Sequence, residues 1–160
     1  MPSLKSLSLL GLLLLTGCGS QAVTFNNQVA KATRDLDAAN QNFVKTLRQE
    51  KEPAQWQAAH AALVTRVDAI LAAASLAKAP EGQEAREFLA AFQGFLKNQE
   101  RLVKVDFKEL LDARARDNQA RIQEVGDRIT RVGQEDQVRL REAQAAFARA
   151  HKITLPEADK

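Results

Sequence analysis

At 160 residues the chain is long enough for one domain with its own core, and a single cysteine, Cys18, excludes any intrachain disulfide. Tyrosine is absent and glycines and prolines are few, while Ala, Leu, Gln, Glu, Arg and Lys dominate, a bias that favours helix and leaves little material for a sheet. The formal charge of +3, from 23 basic and 20 acidic residues, is too nearly balanced to select a polyanion such as nucleic acid.

The chain opens with a basic start at Lys5, an apolar run from Leu7 to Leu15, and then Leu15-Thr16-Gly17-Cys18. This order of charged, apolar and small residues resembles a bacterial lipoprotein signal peptide with its lipobox. A membrane span is disfavoured, because the run is far shorter than the ~20 residues a bilayer requires and ends in Gly-Cys-Gly-Ser rather than in a charge cluster. The resemblance implies that residues 1–17 are removed, that Cys18 becomes the first residue, and that its sulfur carries a diacylglycerol, the modified cysteine bearing acyl chains such as palmitate. Membrane lipid is then one partner, through Cys18. Residues 18–23 would form a lipidated tether, at most ~20 Å when extended. Gly19, rather than aspartate, after the cysteine implies a place in the outer membrane, facing the periplasm or the surface, if the envelope is Gram-negative.

Residues 24–155 carry four amphipathic stripes. Thr24 suits an N-cap, and behind it Phe25, Val29, Ala32, Leu36, Ala39, Phe43 and Leu47 recur at spacings of four and three. Gln49 to Glu52 interrupt the stripe, and Pro53 fits the first turn of a second helix because its missing N–H has no intrahelical partner there. That helix places Trp56, His60, Leu63, Val67, Ile70, Ala74 and Ala77 on one narrow seam. Lys78 to Gly82 form the next break. A third stripe follows with Phe88, Phe92, Phe95, Gln99, Val103, Phe107 and Leu110. The alternation of Val103, Val105 and Phe107 leaves open a kink or break near Lys104. The polar stretch Arg114 to Gln119 is the best candidate for the last turn. The fourth stripe runs Ile122, Val125, Ile129, Val132, Leu140, Ala143 and Phe147, with Asp136 where an apolar residue is due and Gly126 and Gly133 inside. Four such segments joined by short turns predict an all-α, up-down-up-down antiparallel four-helix bundle, followed by a tail at 156–160.

The opening Phe25-Asn26-Asn27-Gln28-Val29 and the ending Gln144-Ala145-Ala146-Phe147-Ala148-Arg149-Ala150-His151-Lys152-Ile153-Thr154-Leu155 resemble the two ends of a family of small bacterial surface or periplasmic lipoproteins of unknown function. The resemblance implies a helical fold and an envelope address. It implies no reaction.

Chemistry is sparse. His60 and His151 are the candidates for metal or general-base work, and the topology sets them at opposite ends of the rod. His60, on the seam, is read as bonded to a neighbouring polar group or reaching solvent, and His151 as a cation at a helix C-terminus. Glu-x-x-His pairs are missing, and so are Cys-x-x-Cys-His, a Gly-rich phosphate loop, Gly-x-Ser-x-Gly and His-Glu-x-x-His, so no cofactor, metal or enzymatic activity is expected. The carboxylate pairs Glu84 with Glu87 and Asp106 with Glu109 can share a helix face, which is read as solvated. Glu124 with Arg128, Asp127 with Arg131, and Glu135 with Arg139 stand as acid-first pairs four apart, the pattern of a salt-bridged solvated face and not of a nucleic-acid surface. Phe88, Phe92 and Phe95 either fill the core, the favoured reading, or line a pocket or partner groove. Gln99 and Asp136 mark a polar layer or a functional interruption. The expected role is a non-catalytic interaction or structural module with an envelope protein as partner. The alternative is a small-ligand or metal carrier using the bundle interior, and a cell-wall link through Lys160 is a third.

Overall fold

The computed structural model describes residues 8–155, with side chains from Gln21 onward. They form an all-α four-helix bundle. The first rod is α1, Ser8–Gln49, and the second is α2, Pro53–Ala74. The third joins α3, Gln83–Arg101, through a π-helical turn at Leu102–Asp106 to α4, Phe107–Ala115, and the fourth is α5, Gln119–Ala150. Among the described residues no helix is long and apolar enough to cross a membrane.

The first helix starts earlier than the stripe suggests. Thr24 lies inside α1, and residues 18–23, expected as a tether, are helical. Ala22 explains the continuation: it is completely buried, one turn before Phe25, so the bundle's contacts reach past Thr24. Cleavage and lipid attachment at Cys18 concern side chains that lie outside the described residues.

The remaining ends follow local chemistry. Pro53 opens α2 as expected, with Glu52 ahead of it in extended backbone. The α4–α5 turn falls within the predicted stretch. There Asp117 takes a left-handed φ of 51°, the Asn118 N–H bonds to Ala113 O at 2.9 Å and the Asp117 N–H to Arg114 O at 3.1 Å, a Schellman closure. Asn118 then caps α5, its side-chain oxygen accepting from the Arg121 N–H. The same closure ends α5, with Lys152 at φ 54° and the Ile153 N–H on Ala148 O at 2.8 Å. Gly82, at φ 129°, supplies backbone that a side chain would strain just before α3.

The core has two aromatic ends. Phe25, Phe88 and Phe147 meet with ring centroids 5.2–5.6 Å apart at the end where α1 enters. Phe43 and Phe107 meet at 4.9 Å near the other. Leu36, Val29 and Val67 fill the length between them. Beyond Phe107, carbonyls at and just past the end of α1 accept from neighbouring helices. The Trp56 indole donates to Glu50 O at 2.9 Å and Arg114 to Leu47 O at 2.6 Å, while the Arg114 guanidinium lies 3.9 Å over the Trp56 ring.

Two substitutions test this packing by denaturant unfolding. Leu36, fully buried, should cost about 2–5 kcal/mol when changed to alanine. Gly126→Ala should raise stability by about 0.5–1 kcal/mol, because an added Cβ meets nothing within 4 Å and the helix interior gains a residue of better propensity.

Candidate functional site at the π turn

The third rod contains the one departure from regular helix among the described residues, and polar chemistry gathers around it. In the Leu102–Asp106 turn the Phe107 N–H reaches back five residues to Leu102 O, which widens the helix and tips carbonyls off the usual ladder. The alternation of Val103, Val105 and Phe107 foreshadows this turn. A break does not result, since the helix continues to Ala115, and the kink alternative reduces to one wide turn. Val103 and Phe107 stay buried while Val105 faces solvent.

His60 enters here. Its Nε2 sits 2.7 Å from Val103 O, and its ring packs 5.9 Å from the Phe43 ring. A carbonyl partner requires that Nε2 carry the proton and donate. His60 is therefore the seam residue bonded to a polar group that its position implies. His151 lies at the far end, its ring 4.4 Å from Phe147.

Asp106 is the charged residue that the turn buries, and only 4% of its side chain is exposed. Arg128 of α5 approaches it through Nη2 at 3.0 Å and Nε at 3.1 Å, and Arg101 adds a contact at 3.4 Å. Arg128 also pairs with Glu109, one helical turn on, and Arg121 pairs with Glu109 and Glu124. Hydrogen bonds from Arg128 first and Arg121 second hold the Glu109 carboxyl below the usual glutamate range, and the Glu109 bond in turn raises Arg128. On the outer side Lys104 is raised chiefly by its hydrogen bond to Asp68, then by Glu100.

These contacts correct the reading of the fourth helix. Arg128 is not the local partner of Glu124 on a solvated face, and of the pair read as solvated Asp106 is buried and Glu109 half-buried. The wide turn aims both carboxylates at α5, where the arginine finds two acceptors at once and a drier setting than its own helix surface offers. Asp127 with Arg131 and Glu135 with Arg139 form no ion pair either.

A polar layer adjoins the turn. Asn40 of α1 donates to the Gln99 side-chain oxygen at 2.9 Å, and Asn98 donates to Asp136 Oδ1 at 2.8 Å. Gln99 and Asp136, the two polar residues on apolar stripes, are both buried in it. Asp136, whose Oδ2 has no hydrogen-bond partner in the protein, lines a hollow of about 10 Å³ with Asn98, Gln99, Asp106 and Gly133, room for one water. A larger groove of about 630 Å³ opens on the surface between α1 and the third and fourth rods, floored by Val44, Leu102, Phe107 and Ile129 and edged by Lys45 and Arg48.

Phe88, Phe92 and Phe95 belong to neither space. They are 0%, 1% and 6% exposed and sit in the core, not on a pocket wall or partner groove. Cys18 lies within α1, its side chain outside the described residues. Sequence reasoning missed Asn98 and Asn40, and gave Arg128 a local partner, Glu124, in place of Asp106 and Glu109. The adjacent amides Asn98-Gln99 on a stripe were the available signal for two of the layer's members.

Arg128→Ala should destabilise the fold by on the order of 3 kcal/mol, because it leaves the buried Asp106 with only the longer Arg101 contact. Arg131→Ala, at an exposed position, should stay within about 0.5 kcal/mol. Equal effects would show that the Asp106 pair is not formed. Glu109 titrates lower folded than unfolded, so the stability it contributes is complete above the ordinary glutamate range, about 4.3, and is lost as pH falls through the folded value. Urea midpoints measured from neutral to acid pH should drop there, and drop less in Glu109→Gln.

Comparison of the chain with protein-family models, with curated proteins and with solved structures found no match in any of the three.

Proposed function

We propose that this is a lipid-anchored protein of the bacterial envelope whose bundle acts as a non-catalytic interaction or structural module. The observation that carries the reading is the pairing of Leu15-Thr16-Gly17-Cys18, with the only cysteine of the chain, and a bundle that begins at the fully buried Ala22. A diacylated cysteine four residues from a packed core would hold the rod directly on the bilayer. The interior supports an interaction role over a carrier role. The phenylalanines are closed into the core, His60 spends Nε2 on Val103 O, and the hollow beside Asp136 accommodates about one water. The outer faces are what remains for an envelope partner.

Growth with an alkyne fatty acid tests the anchor. The wild-type chain should be labelled and fractionate with membranes, whereas Cys18→Ala should be unlabelled, uncleaved at Gly17 and released from the lipid-dependent fraction. An unlabelled wild type rejects the anchor. Native-membrane capture of the acylated protein tests the role, with a stoichiometric envelope protein expected. Calorimetry that finds a micromolar metal site lost in His60→Gln would select the carrier instead.

A further inference from the structure

The end of the bundle at which α1 enters carries an apolar residue that nothing in the fold covers. Leu76, in the α2–α3 connection, is 76% exposed, although its neighbours Ala77 and Ala79 pack onto the core and Pro80 is buried. The local packing is thus ordered, and a leucine is nevertheless held outward. Val23, on α1 at the same end, is 42% exposed. The antiparallel order places the α2–α3 connection and the α5 C-terminus together at this end, where Phe147 contacts both Phe25 and His151.

Distance selects the occupant. Cys18 precedes the buried Ala22 by four residues, which on an α-helix is ~6 Å along the axis and even fully extended is ~14 Å. The headgroup layer of one leaflet is itself ~5–8 Å thick. In the helical geometry that α1 adopts, a lipid on Cys18 therefore brings this end of the bundle into or against the headgroups. Lys78, Arg149 and Lys152 are exposed around it, but Glu81 and Glu84 offset much of their charge. Apolar insertion, not attraction to anionic lipid, is the main term.

We propose that the α2–α3 connection, led by Leu76, is a second membrane contact that seats the anchored bundle on the bilayer surface. A single lipid anchor leaves a rod free to tilt; a second contact on a different helix pair fixes its standing orientation. This inference rests on the Cys18 anchor proposed above.

The test uses the full lipidated chain purified from membranes and reconstituted in phosphatidylcholine vesicles. In Leu76→Cys the acylated Cys18 sulfur is blocked, so an environment-sensitive fluorophore attaches at 76 alone. Ala120→Cys, exposed at the opposite end, is the reference. The label at 76 should shift to the blue on reconstitution and be quenched by doxyl-labelled lipid, while the label at 120 does neither. In the unlabelled protein, amide exchange across 75–82 should slow on reconstitution while exchange across 116–120 does not. A lipidated, vesicle-bound protein in which 76 behaves like 120 and 75–82 exchanges unchanged overturns the second contact and leaves the anchor standing. Mass spectrometry that finds Cys18 unmodified overturns both, and the two failures are thereby told apart.

Discussion

A carboxylate taken out of water at a helix interface is costly unless donors meet it, and the distal half of this bundle meets that constraint at Asp106 with a cation. The π turn brings the aspartate to the α5 side, and Arg128 answers it. Because the guanidinium has a fork of donors, the same side chain also reaches Glu109, which in turn draws in Arg121. The third and fourth rods are thus joined by charge at one level and by Asn98 and Asp136 at another. Deleting one arginine removes a partner from two acceptors. The network is worth more as a device against sliding than as a sum of ion pairs, since exposed pairs alone contribute little.

The wide turn also faces the second rod. Val103 O accepts from His60, so the π turn is tied to α2 through a carbonyl and to α5 through its aspartate. Farther along, Asn40 with Gln99 and Gln144 with Asn26 connect α1 to the third and fourth rods. These polar ties sit where apolar packing alone would accept several registers, and a one-turn shift would break each of them.

The stripes, the proline start of α2 and the Asp117-Asn118 turn were legible because each depends on residues close together in sequence. Leu36 and Phe88 could be placed in the core from spacing alone, and Gln99 and Asp136 stood out as polar residues where apolar ones were due. The alternation around Lys104 signalled an irregularity without saying which kind, because a π turn and a break both disturb the 3.6-residue period in the same way. What could not be read was partner choice across helices. Glu124 four residues before Arg128 is a sound local rule, yet such a pair gives only about 0.3–0.5 kcal/mol, and a half-buried bidentate alternative on another rod outcompetes it. The start of α1 was misplaced for a related reason. Thr24 has the chemistry of a cap, but the burial of Ala22 is a tertiary fact that continues the helix through it.

The two ends of the rod differ in a way that suits the proposed anchorage. At the end away from Cys18, the last carbonyls of α1 are closed by Trp56 and Arg114, and the α4–α5 turn is closed by the Schellman bonds and the Asn118 cap. At the other end Leu76 is left to the surroundings. With 32 residues in α5, the rod spans ~48 Å, so a bundle seated as proposed at Cys18 and Leu76 would carry the Asp106, Arg128 and Glu109 network well clear of the headgroups. At that height the ~10 Å screening length of an ionic medium would isolate the network from the membrane's own charge. The network's charges are balanced by their partners within the bundle, so under that anchorage its stability would not depend on the composition of the lipid below.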